Sequence, residues 1–60
     1  MKNLIARTRH PNGQVVSYYR QGTNLKVVWH GKSCTEIIPS AWLPGLLKDI
    51  RHIGGSILLS

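Results

Sequence analysis

Arg7, Arg9, Arg20, Lys26 and Lys32, together with Lys2, place six cationic side chains in the first 35 residues, and no carboxylate lies among them. Glu36 and Asp49 are the two acids of the chain, and Lys48 and Arg51 balance them. The formal net charge of +6 therefore resides in the N-terminal part. A field of one sign attracts polyanions. Nucleic acid asks for cations on its phosphates and a flat ring on which a base or sugar can rest. The pattern suits that chemistry, with Arg7, Arg9, Arg20, Lys26 and Lys32 as phosphate contacts and Tyr18 as the stacking ring. Such contacts position a protein without reading sequence. DNA and RNA are both left open.

Other chemistry is poorly served. A metal site needs several ligands in a recognised spacing, and one cysteine with three scattered histidines does not supply it. Cys34 sits near His30, but a thiolate nucleophile needs a lowered pKa and an orienting base, and Cys34 reads as a small buried thiol. Glu36 and Asp49 fall on different elements and make a poor acid–base pair. The glycines mark turns and a helix stop rather than a phosphate loop. The expectation is a binding protein with no cofactor, no metal and no enzymatic activity. The enzymatic alternative is a small ribonuclease with His10 or His30 as base.

Positioning the cations falls to hairpins. Asn12-Gly13 suits a tight two-residue turn, and Val15, Val16, Tyr18 and Tyr19 favour strand. With that turn Arg9 pairs with Val16, Arg7 with Tyr18, and Ile5 with Arg20. Directly opposed residues share a face, so Arg7, Arg9, Tyr18 and Arg20 point to solvent. Leu4, Ala6, Thr8, Val15, Ser17 and Tyr19 then form the core side. Gln21 to Asn24 is the next turn. Leu25, Val27 and Trp29 alternate with Lys26, Val28 and His30. Gly31-Lys32 turns into a strand from Ser33 to Ile38 that Pro39 ends.

The period then changes. Leu43, Leu46, Leu47, Ile50 and Ile53 make one helical stripe, with Pro44 in the first turn and Gly54-Gly55 as the stop. Leu47 and Ile50 are read as core, covering the sheet. Trp29 and Trp42 are also read as core. The expected fold class is α+β, a small antiparallel sheet of about four strands under one C-terminal helix, with a barrel-like closure as one form of it. The chain reads as one basic domain over residues 1–60, with sheet over 1–38, helix over 40–54 and an apolar tail over 55–60.

A domain this small buries only about 60% of the surface of its unfolded chain, and a lone cysteine excludes an internal disulfide. The uncharged tail Ser56-Ile57-Leu58-Leu59-Ser60 should therefore pair as a strand, at the edge of its own sheet or across a homodimer interface, with the dimer favoured. The lone cysteine fits a reducing compartment. Together with the absence of a membrane span of roughly 20 apolar residues and of an apolar leader, it predicts a cytoplasmic protein without membrane partners. The second reading of function is an adaptor or inhibitor that engages an acidic protein through its basic sheet, sheet edge and apolar tail.

Leu25-Lys-Val-Val-Trp-His-Gly31 followed by Ile38-Pro-Ser-Ala-Trp-Leu43 resembles the N-terminal domain of gamma-butyrobetaine hydroxylase-like proteins. There a strand ending in Trp leads through a glycine turn to Pro-x-x-Trp-Leu. The Arg and Cys that follow in that family are replaced here by Pro44, Gly45 and Leu46, so no zinc ligand is carried over. His10-Pro-Asn-Gly-Gln-Val-Val16 is similar to the strand segment of small toxin ribonucleases of the HicA type, which open with a helix. In architecture, a basic sheet with one C-terminal helix is similar to small archaeal chromatin proteins and to the arm-binding domains of phage-type integrases.

Overall fold

Five antiparallel strands form one open sheet beside a single helix in the computed structural model, which describes residues 3–59. Lys2, counted above among the cations, lies outside them. The strands are β1 (Leu4–Arg9), β2 (Val15–Gln21), β3 (Asn24–Trp29), β4 (Thr35–Pro39) and β5 (Ser56–Leu59). A single turn of 3-10 helix (Ser40–Trp42) leads into α1 (Leu43–His52). The order β4-β3-β2-β1-β5 ends in two edge strands, so the sheet does not close into a barrel. The tail supplies the fifth strand by pairing with β1 of its own chain. The edge it needed is thus found within one molecule.

The first hairpin departs from the two-residue turn by one residue. Arg9 opposes Val15, Thr8 opposes Val16, Arg7 opposes Ser17 and Ala6 opposes Tyr18. Pro11 is the physical reason. A turn centred on Asn12-Gly13 would pair Pro11 with Gln14, and proline has no N–H to give to the ladder. Pro11 instead takes the second position of a turn closed by Gly13 N–H to His10 C=O at 2.9 Å. Gly13 adopts φ +93°, and His10 N–H reaches Gln14 C=O at 2.8 Å. The result is a three-residue loop ending in a left-handed glycine. Asn12 helps from its side chain, accepting the Gln14 N–H at Oδ1.

That one-residue slip exchanges faces. Tyr18, expected in solvent, is 4% exposed and belongs to the core with Ala6, Val16, Leu25 and Val27. Ser17 and Tyr19, expected in the core, stand on the opposite face. The third hairpin also starts early. Lys32 N–H closes a turn on Trp29 C=O at 3.2 Å, so the loop runs from His30 to Ser33 and β4 begins at Thr35. Cys34 is exposed there, not buried as its size suggested.

Rows across the sheet follow from the registers. On the helix side run Trp29–Val16–Thr8–Ile57, Glu36–Val27–Tyr18–Ala6 and Ile38–Leu25–Arg20. On the open side run Val15–Arg9–Ser56, Thr35–Val28–Ser17–Arg7–Leu59 and Ile37–Lys26–Tyr19–Leu4. His30 extends the first open row, because its N–H bonds Val15 C=O.

The helical stripe packs as its spacing predicts over most of its length. Ile50 is buried, and Leu43, Leu46 and Leu47 are half-buried against the core cluster. Ile53 lies past the last helical residue and is 54% exposed. Trp42, read as core, is 58% exposed. It sits in the 3-10 turn, whose tighter winding does not continue the stripe of α1. Gly54 N–H to Arg51 C=O and Gly55 N–H to Ile50 C=O close the helix in a Schellman motif. Helix α1 then packs chiefly on β5 and β1. The helix-side surface of β3 and β4 is left partly uncovered.

Candidate nucleic-acid interface

The open face of the sheet brings together part of the predicted cationic set. Arg7, Arg9 and Lys26 stand on it by register. Arg9 and Lys26 are exposed, and Arg7 is half-buried. The aromatic ring on this face is Tyr19, half-buried between Lys26 and Leu4. Tyr18 is excluded by burial. Arg20 is exposed but lies on the helix side beside Leu25. Lys32 also leaves the group, with its Nζ 5.9 Å from the centroid of the Trp29 ring, within cation–π range. Two of the five predicted phosphate contacts thus stand apart from the other three.

A hydrogen-bonded triplet that sequence reasoning missed organises this face. Arg7 Nε donates to Ser17 Oγ at 3.0 Å, and Ser17 Oγ lies 2.6 Å from His30 Nε2. Ser17 is wholly buried beneath its neighbours. All three groups are satisfied when the Ser17 lone pair accepts from Arg7 and its hydroxyl proton goes to a neutral His30. The remaining guanidinium nitrogens of Arg7 are then held in one orientation. The only signal in the sequence was the shared period-2 spacing of Ser17 and Tyr19, and the wrong register hid it. Gln14 fixes the same corner, its Nε2 donating to His30 C=O at 2.7 Å. A shallow polar depression lined by Asn12, Gln14, Val15 and His30 adjoins it.

Charge divides across the sheet. The two carboxylates of the chain, Glu36 and Asp49, both line a cleft between sheet and helix on the opposite side. Among the described residues, the open face therefore holds Arg7, Arg9 and Lys26 with no Asp or Glu beside them. Ser17 is shielded from solvent, so its bond to His30 orders the face rather than supplying a nucleophile. No group of three or more His, Cys, Asp or Glu among the described residues is disposed to hold a metal ion. No described helix is long and apolar enough to cross a membrane. Comparison with protein-family models, curated proteins and solved structures finds no match for this chain.

Proposed function

We propose that the protein is a nucleic-acid-binding module that docks the open face of its sheet on phosphates. Arg7, Arg9 and Lys26 are the phosphate contacts and Tyr19 is the stacking ring. The observation that carries this reading is the segregation of charge: three cations and an aromatic ring share an acid-free face, and both carboxylates lie behind the sheet. The ordered guanidinium of Arg7 supports it, because a preorganised donor loses less entropy on binding. Cytoplasmic placement belongs to the same proposal and fits the exposed free thiol of Cys34.

The test is binding of single-stranded and duplex oligonucleotides of mixed sequence over a range of salt. Three phosphate contacts correspond to a logarithmic salt slope of about −2 to −3. No binding at low salt removes the proposal. The second reading, an acidic protein partner, draws on β5, an edge strand with Leu58 and Leu59 exposed and free to accept an added strand. It is favoured if oligonucleotides fail and acidic proteins are retained.

A further inference from the structure

We propose that the cleft between sheet and helix is a binding site for a small organic cation with an apolar body, such as an aromatic or aliphatic amine. This inference does not rest on the nucleic-acid reading, since the cleft opens on the other side of the sheet. The cleft measures about 300 Å³. That is the lower end of the range for small-molecule pockets, enough for one ring or a short chain and too small for an extended peptide. Val27, Ile38, Leu46 and Ile50 are among the side chains that make its walls apolar.

Two observations define the occupant. The first is aromatic. Trp29 and Trp42 both line the cleft, and Trp42 stands 58% exposed at a site where a small domain has every reason to bury it. Indole faces attract cations more strongly than other rings do. Trp29 already shows this chemistry within the molecule, holding the Lys32 ammonium at 5.9 Å. The second is charge. Glu36 from β4 and Asp49 from α1 both line the cleft, and the chain has no other acid. A protein of formal charge +6 has gathered its negative charge in one concavity.

His10 also lines the cleft, its ring 5.6 Å from that of Trp29. Lys32 lies close to the Trp29 ring. The Lys32 ammonium opposes a cation, and the two carboxylates oppose it in turn. At physiological salt the screening length is about 8 Å. Distant positive charges are damped, and the carboxylates in contact with the ligand dominate.

Benzylamine, benzyl alcohol and benzoate share one shape and differ in charge. Titration of the full chain with each is followed by the indole N–H signals of Trp29 and Trp42. Benzylamine should move both signals saturably and bind about fivefold or more tightly than benzyl alcohol, with benzoate weaker still. The double variant Glu36→Gln/Asp49→Asn should bring the amine to the affinity of the alcohol and leave the alcohol unchanged. Both acids are exposed, so this variant keeps the fold. Lys32→Met should raise amine affinity. Equal affinity for amine and alcohol, a preference for benzoate, or no saturable shift at Trp29 and Trp42 overturns the proposal. Because the probes are uncharged or monovalent, failure here leaves the oligonucleotide test untouched, and the converse also holds.

Discussion

Ser17 Oγ meets His30 Nε2 at 2.6 Å although Ser17 lies within β2 and His30 in the loop just past the end of β3. The contact ties β2 to the turn after β3. Arg7 joins it from β1. Strands β1 and β2 and the turn after β3 are thus linked by one buried hydroxyl.

Replacing Ser17 by Ala should cost about 1 kcal/mol, because the Arg7 and His30 groups that keep some access to solvent lose only a net hydrogen bond each. Chemical denaturation measures this. The same variant should also weaken oligonucleotide binding by releasing the Arg7 guanidinium. Unchanged stability together with unchanged binding would show that the triplet orders nothing.

Arg7 and Arg9 should separate in their effects. Arg9 is exposed, so Arg9→Ala should leave the melting temperature unchanged and weaken binding. Arg7→Ala should weaken binding and also lower stability, since its stem packs and its Nε is bonded. Arg20→Ala, on the other side of the sheet, should affect binding less than Arg9→Ala at equal change in net charge. Equal losses for Arg9 and Arg20 would mean that net charge, not this face, attracts the ligand.

The adjacent tyrosines offer a sharper contrast. Tyr18→Ala removes a buried ring and should cost about 3–5 kcal/mol, comparable to the whole stability of so small a domain. Tyr19→Leu should leave the fold intact and reduce single-strand affinity, with a stacked ring worth about 1–3 kcal/mol. Retained affinity in Tyr19→Leu would assign the face to phosphate contacts alone.

Two glycines should respond with opposite sign. A Cβ on Gly55 would lie 2.6 Å from Arg9 O and 2.7 Å from Ile50 Cγ2. Gly55→Ala must therefore push β5 away from β1 or shift the end of α1, and a thermal melt should show a loss of several degrees. Gly45 lies inside α1, and a Cβ there meets nothing within 4 Å. Gly45→Ala should stabilise by about 0.5–1 kcal/mol. A lower melting point for Gly45→Ala would show that the first turn of α1 needs that freedom.

Element types were legible in the sequence because they depend on local physics. The β-branched and aromatic runs made the strands, the spacing of Leu43, Leu46, Leu47 and Ile50 made the helix, and Gly54-Gly55 ended it. The α+β class and the C-terminal helix followed from these alone. So did the separation of an acid-free N-terminal charge from the later acids, which is a property of composition. Faces were not legible. They turn on whether the first loop holds two residues or three, and the missing N–H of Pro11 decided that through a hydrogen bond available only once the strands had met. One residue of register moved Tyr18 into the core, brought Tyr19 outward, and paired Arg7 with Ser17. The tertiary structure alone also set helix α1 over β1 and β5, because the tail pairs there and pulls the helix with it. That placement left Trp42 in solvent and opened the cleft in which Glu36 and Asp49, far apart in sequence, line the same cavity.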